Sequence, residues 1–312
     1  MNDKIKGYIL GAVAAASYGM NPLFALPLYE RGMTPDSVLF FRYLFAIPIL
    51  GIMLRSRGRN FRITRKDILP LVIYGILFAL SSVTLFRSYS YMDAGIASTI
   101  LFVYPILVAL IMFVVFREKI SWQTIFCIAM AMVGIGLLFK SSDGATLSIT
   151  GTLFVIGSAL SYAIYIVGIN HCRLKEMATL KVTFYVLLFG WIFITLSSLA
   201  AGGIQLPASP FMWLCTFMLG LLPTAISLFC TTSAIKHIGA TPAAILGALE
   251  PVTAVFFGVT IFGEVITARE YFGLVLVIVA VTMVVAGGGV GSLLVRIRKM
   301  FPRLNMGRRN RG

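Results

Sequence analysis

Residues 94–120 read AGIASTILFVYPILVALIMFVVFREKI, and residues 240–266 read ATPAAILGALEPVTAVFFGVTIFGEVI. A shift of 146 residues superposes the two without a gap. Ala94 falls on Ala240, Ala97 on Ala243, Pro105 on Pro251, Phe116 on Phe262, Glu118 on Glu264 and Ile120 on Ile266. Apolar helices match one another easily by composition. A proline and a glutamate at matched positions are harder to obtain by chance. A shift of 144 pairs Gly7 with Gly151, Ala15 with Ala159, Ser17 with Ser161 and Tyr18 with Tyr162. The chain therefore reads as one unit duplicated, over residues 1–145 and 146–293, with a basic tail at 294–312.

Composition says where this unit lives. Of 312 residues, 59% are hydrophobic and 12% charged, against about 45–50% and about 25% in a soluble domain. So much apolar surface has to face lipid, where only helices and closed barrels satisfy the backbone. The apolar runs are long and do not alternate, which predicts helices rather than barrel strands. Ten segments of roughly 20 residues qualify. They run near 5–28, 36–54, 68–90, 94–116, 121–139, 150–169, 180–200, 211–234, 240–262 and 269–293. The start could pass for a signal peptide, but its apolar run continues past Ser17 to Leu28, so an uncleaved first span is expected.

The fold expected is thus an all-α integral membrane protein of ten spans. Five spans per copy is an odd number. The second copy must enter the membrane from the opposite side, which makes the repeats inverted. Inverted repeats are a common construction of secondary transporters, with the site near the midplane between the halves.

The net charge of +15 would suggest nucleic acid in a soluble protein. Here it follows topology. With a cytoplasmic N-terminus, 21 of the 26 lysines and arginines lie in inside segments, four (Arg31, Arg87, Lys140, Arg269) lie outside, and Arg42 sits within a span. The positive-inside rule then puts both termini in the cytoplasm. The basic residues read as topology signals and contacts to anionic lipid, not as a nucleic-acid surface.

No GxxxxGK[ST], HExxH or nucleophile–base pair occurs, so neither ATP handling nor an enzyme is expected, and no cofactor or metal. Cys127, Cys172, Cys215 and Cys230 form no CxxC pair and read as small apolar packing residues. His171 and His237 read as helix-end residues.

Polar groups inside spans are costly and tend to face a cavity or one another. Ser158, Ser161, Tyr162 and Tyr165 share a helix face, matched in the first span by Ser17, Tyr18 and Asn21. They can line a solute cavity, or the serines can serve as interhelical glue. Thr224, Ser227 and Thr231 form a similar stripe, and Ser81 matches Ser227 at the 146 shift. Glu250 is the most unusual group, mid-span beside Pro251, with Tyr104 as its counterpart. Two readings stand for it: binding a substrate amine or a coupling proton, or fixing helix packing by pairing with Arg42 or Arg87. Glu118 and Glu264, at span ends, are expected to cap or pack helices. Pro105 and Pro251 are candidate hinges.

The segments Ser98–Pro105 through Phe116-Arg-Glu118, Ala243–Pro251 through Phe262-Gly-Glu264, and Phe41-Arg-Tyr43 together resemble the EamA family of the drug/metabolite transporter superfamily. The resemblance implies a ten-helix exporter or exchanger of small metabolites, such as amino acids, in a bacterial inner membrane. The second half has no arginine matching Arg42. The partners expected are the bilayer, a small-molecule substrate and protons as a candidate coupling ion, and a channel or facilitator is the alternative function.

Overall fold

A computed structural model describes residues 3–117, 122–138, 148–200, 202–239, 243 and 245–300, with side chains through residue 285. The expectations for Glu118, Ile120, Ala240 and tail residues 301–312 lie outside the described residues. All regular structure among the described residues is helical.

The first half holds α1 (Asp3–Gly19), α2 (Asn21–Glu30), α3 (Pro35–Ser56), α4 (Arg65–Ser88), α5 (Ala94–Leu101), α6 (Tyr104–Phe116) and α7 (Trp122–Leu138). The second holds α8 (Ile149–His171), α9 (Thr179–Ala200), α10 (Pro210–Gly220), a π-helical turn (Leu221–Ile226), α11 (Ser227–Ile238), α12 (Leu249–Phe262) and α13 (Ala268–Met300). Eight stretches are long and apolar enough to cross a membrane, counting α1–α2, α5–α6 and α10–α11 each as one continuous stretch. Two of the ten expected spans, α7 and α12, form shorter apolar helices over the described residues.

Helix starts are written in the sequence. Thr34, Ser148 and Ser209 each accept a backbone N–H from the residue three positions on, at 3.4, 3.2 and 3.4 Å. Pro35 and Pro210 occupy first-turn positions, where no donor is needed. Thr64 and Asp67 close a capping box, with Thr64 N–H donating to the Asp67 carboxylate at 3.0 Å.

Three expected spans are not straight rods. The first breaks at Met20, just before Asn21-Pro22. The fourth unwinds at Phe102–Val103, just before Tyr104-Pro105, and the ninth at Gly247–Ala248, just before Leu249-Glu250-Pro251. Each proline removes a donor, and the backbone turns one step earlier. In the eighth expected span Pro223 is absorbed differently, inside the π turn.

Packing follows the duplication. Matched spans meet their own counterparts in α3 on α9, α5 on α12 and α7 on α13. Other contacts come in matched pairs: α1 packs on α11 as α8 packs on α4, α1 on α12 as α8 on α6, and α3 on α10 as α9 on α4. The α7–α13 crossing is close because it is built of small residues. A Cβ added at Gly273 would sit 2.8 Å from the Gly134 carbonyl oxygen, and one at Gly134 would sit 2.9 Å from that of Gly273. Cys127, Ala131, Val277 and Ala280 complete this layer, all buried, which places Cys127 as a packing residue. Small residues that let backbones approach are the usual device where lipid supplies no hydrophobic drive between helices.

Candidate functional site

Arg42 is the anchor of the site. It lies in the first half of α3, 4% exposed, between buried Phe41 and Tyr43. Its Nε donates to Thr224 Oγ1 at 3.0 Å, and that hydroxyl in turn donates to the Leu219 carbonyl at 3.0 Å. The π turn sets up this contact, since it turns Thr224 back five residues instead of four. Gly220 lets the two backbones touch: a Cβ there would come within 3.0 Å of the Arg42 carbonyl oxygen. The guanidinium also faces two rings, 5.9 Å from the Tyr18 centroid and 5.2 Å from that of Phe86.

Glu250 follows the break at Gly247–Ala248, in the first turn of α12. Arg42 lies within electrostatic reach of it. Yet among the described residues Arg42 and Glu250 form no ion pair, and no hydrogen bond reaches the Glu250 carboxylate. Arg87, expected as a possible partner of Glu250, instead bonds Asp36 at 2.7 Å at the exposed end of α4. Asp36 is the half-buried partner of the pair, 16% exposed against 44% for Arg87.

Tyrosines fill the space around these charges. The Tyr104 and Tyr162 rings meet edge to face at 4.8 Å, and Tyr162 stacks on Tyr165 at 5.7 Å. Phe78 closes the cluster, 5.2 Å from Tyr165 and 6.1 Å from Tyr162. Glu250 is within electrostatic reach of Tyr18, Tyr89, Tyr104 and Tyr162. Tyr18, Tyr104, Tyr162, Tyr165 and Glu250 all keep part of their surface accessible although they lie in spans. Asn21, 2% exposed, donates its Nδ2 to the Tyr18 carbonyl at 2.8 Å, and its buried Oδ1 has no partner. The α1 terminus is pressed onto this region, since a Cβ at Gly19 would stand 2.5 Å from the Glu250 carbonyl oxygen.

The structure therefore brings Tyr18, Asn21, Arg42, Tyr104, Tyr162, Tyr165 and Glu250 to one neighbourhood. The serines behave otherwise. Ser158 Oγ donates to the Ser81 carbonyl at 2.7 Å and meets Ser81 Oγ at 3.1 Å, tying α8 to α4. Ser227 Oγ donates to the Ala14 carbonyl at 2.9 Å, tying α11 to α1. Ala14 and Ser158 are matched positions at the 144 shift, as Ser81 and Ser227 are at 146, so the same pair of positions is bridged in both halves, with the donor on opposite members of the pair. Thr231 bonds its own helix at Ser227 O, 2.9 Å away. Ser161 is buried beside Tyr162. Phe78, Phe86 and Tyr89 belong to the site without having been expected. Phe78 lies one turn from Ser81 on the same face of α4, a spacing that pointed at it.

At the end of the molecule where α5 begins, a cavity of about 420 Å³ is lined by Tyr29, Glu30, Tyr89, Asp93 and Glu264, among others. Tyr89 joins it to the Arg42 neighbourhood, packing on Phe86 at 5.5 Å. Glu264 caps the helix of the other half: the Ala94 N–H donates to its Oε1 at 3.0 Å. Gly258 makes room, since a Cβ there would overlap the carboxylate. Helix capping is what the sequence position led us to expect of Glu264. Burial and the Asp93 charge push its carboxyl up to about 7, against the Ala94 and Gly95 amides, which favour the ionised form. Asp93 is itself raised by burial and by Glu270. Among the described residues no three His, Cys, Asp or Glu side chains gather into a metal-holding group.

Two stretches, residues 5–140 and 149–286, each match the EamA-like transporter family. The chain belongs to the EamA-like transporter family. It is a multi-pass membrane protein of a transporter family, not an enzyme family. An uncharacterized transporter of Archaeoglobus fulgidus is 27% identical over 238 residues, covering 76% of this chain and 82% of that protein. An uncharacterized transporter of Clostridium kluyveri is 23% identical over 88% of this chain and 91% of its own length. The uncharacterized inner membrane transporter YicL of Salmonella typhimurium is 24% identical over 91% and 96%. A solved crystal structure shares the EamA chain's fold with a TM-score of 0.64 over 93% of this chain and 98% of the other, at 16% identity.

Proposed function

We propose that the chain is a secondary transporter, an exporter or exchanger of a small metabolite such as an amino acid or a related amphipathic solute, working by alternating access. Its halves, residues 1–145 and 146–293, are inverted copies. Both termini and the 294–312 tail are cytoplasmic, in a bacterial inner membrane. The observation that carries the reading is the pairing of contacts between halves around a buried but accessible cluster of tyrosines and charges. Two copies that make equivalent contacts can exchange conformations at little cost, which alternating access requires. The breaks before Pro105 and Pro251 lie beside that cluster and supply the bending points. Helix breaks in membrane spans are tolerated where they line a cavity. The 21-to-4 split of basic residues supports the orientation.

Counterflow in proteoliposomes tests this. Uptake of a labelled metabolite is expected to rise when the same compound is loaded inside. Flux that ignores trans loading points to the channel reading, and no flux across a broad metabolite panel overturns transport altogether.

A further inference from the structure

Residues 55–66 read RSRGRNFRITRK, six basic residues and no acidic one. Here the chain leaves α3 and folds back onto the start of α9. Lys181 Nζ donates to Asn60 Oδ1 at 3.3 Å and to the Arg62 carbonyl, and the Tyr185 hydroxyl donates to the Phe61 carbonyl. So held, the Phe61 ring meets the Phe184 ring edge to face at 5.3 Å. Between Phe61 and the end of α3 lies a shallow groove of about 520 Å³, lined by Pro48, Gly51, Ile52, Arg55, Ser56 and Phe61. Pro48, Ile52 and Arg55 follow one another at i, i+4 and i+7 along one face of α3. Gly51 leaves that face hollow: a Cβ there would meet only the Phe184 ring, at 3.4 Å. The lining is apolar except at one end. There the Ser56 hydroxyl is already spent on the Met53 carbonyl at 3.0 Å. Among the described residues the Arg55 guanidinium has no hydrogen bond, ion pair or ring partner, whereas Arg57 lies over the Phe229 ring at 4.9 Å.

Depth fixes what can lie there. α3 has 22 residues, so its length of about 33 Å is close to that of a bilayer's hydrocarbon core. Arg55, in its last turn, reaches headgroup level, and Pro48 and Ile52 lie one to two turns deeper among acyl chains. We infer that this groove holds one anionic diacylphospholipid, with an acyl chain along Pro48, Ile52 and Phe61 and the phosphate on the Arg55 guanidinium. A guanidinium offers a phosphate two parallel donors. Basic pockets at the membrane surface take anionic headgroups. A choline headgroup fits poorly, because residues 55–66 offer its cation no carboxylate. Topology alone also accounts for arginines at a span end, but by that account all six basic residues are equivalent. The groove singles out Arg55. At the 144 shift Gly51 and Arg55 fall on Thr195 and Leu199, so the second half does not repeat the device, and the site serves one leaflet. Its occupant lies beside the contact of α3 with α9, where the first half meets the second. The inference stands apart from the transport reading and does not depend on which solute crosses.

The probes are dioleoyl-phosphatidylglycerol, dioleoyl-phosphatidylcholine and glycerol 3-phosphate, titrated into the purified full-length protein and read by native mass spectrometry. Phosphatidylglycerol is expected to fill one saturable site about fivefold or more tighter than phosphatidylcholine. Glycerol 3-phosphate, which has the phosphate without the chains, is expected not to displace it. Arg55→Gln is expected to weaken phosphatidylglycerol by about fivefold. Gly51→Leu, which fills the groove and leaves every charge in place, is expected to weaken it by a similar factor of about five. Arg65→Gln removes the same charge from the same end outside the groove and is expected to change the affinity by less than about twofold. Equal losses in Arg55→Gln and Arg65→Gln overturn the site in favour of diffuse attraction. Full affinity in Gly51→Leu overturns the placement of the chain. Displacement by glycerol 3-phosphate makes the ligand a free phosphate and overturns the lipid. The wild-type comparison decides the matter even if a variant fails to fold: phosphatidylcholine bound as tightly as phosphatidylglycerol sinks the inference.

Discussion

Two regions of this molecule treat the duplication in opposite ways. The contacts that hold the helices together occur twice. The serine bridge between α4 and α8 is matched by the bridge between α1 and α11, and the small-residue layer of α7 meets its own counterpart in α13. The charges of the Arg42–Glu250 neighbourhood occur once. Arg42 has no counterpart arginine, and the position matching Glu250 is Tyr104. In the proposed transport cycle, equivalent framework contacts keep two conformations near in energy, and unlike groups in the centre give a solute one way round to sit. Packing stays duplicated where the buried charges do not.

The comparison breaks most sharply at the α7–α13 crossing. Gly273→Leu is expected to cost roughly 2–3 kcal/mol, because even a Cβ there stands 2.8 Å from the Gly134 carbonyl oxygen, with Leu138 and Leu137 at 3.1 and 3.2 Å. Thermal unfolding in detergent measures it, with Gly136→Ala as control. Nothing lies within 4 Å of a Cβ at Gly136, so that change should be neutral or slightly stabilising. Equal unfolding midpoints for the two variants would refute the close crossing.

The span ends offer a second, smaller contrast. Both α6 and α12 end on a residue in the left-handed region, Arg117 at φ 54° and Gly263 at φ 68°, and these are matched positions. Arg117 carries a strain that Gly263 does not, worth about 1–2 kcal/mol. Arg117→Gly is expected to raise the unfolding midpoint and Gly263→Ala to lower it.

Smaller still, Ser158→Ala and Ser227→Ala, which remove the two donor hydroxyls, should each cost about 0.6 kcal/mol, the usual worth of such bonds in membranes. Both should leave the transport rate nearly unchanged. A selective loss of transport in either one would assign that serine to the solute path instead of the framework.

The weakest effect is a slope. The Glu264 carboxyl, at about 7, lies above its ordinary 4.5, so the folded protein binds the extra proton between these values. The unfolding midpoint should therefore fall as pH rises through that window, and the slope should flatten in Glu264→Gln. An unchanged slope in the variant would assign the titration elsewhere.

Much of the fold was legible because hydropathy and span length obey the same physics as the bilayer. Matched Pro105 and Pro251 announced two of the breaks. The break at Met20 and the π turn at Leu221–Ile226 fall at Pro22 and Pro223, prolines that were also expected to kink or break their spans, though not in which form. A proline states that a donor is missing, not whether the chain turns, kinks or inserts a residue. Within the site, Tyr18, Asn21, Tyr162 and Tyr165 were legible from periodicity on single helices. Thr224 was legible as part of a polar stripe, but its bond to Arg42 was not, nor was the Phe86 ring beside that guanidinium, because contact between helices far apart in sequence leaves no mark on either alone. Arg87 misled because charge implies a partner without naming it, and Asp36 was nearer than Glu250.

The pairing of elements with their own counterparts has a mechanical meaning. A point that maps onto itself when two halves are exchanged lies on the axis of that exchange. The crossings of α3 with α9 and of α7 with α13 each join two matched elements, so both lie across any axis that exchanges the halves. In the alternating-access proposal, groups far from such an axis travel most and those near it mainly rotate. The Gly134–Gly273 contact has its matched positions in Ala280 and Cys127, buried in the same layer, so under that proposal the α7–α13 crossing is a bearing, narrow because a pivot tolerates no slack.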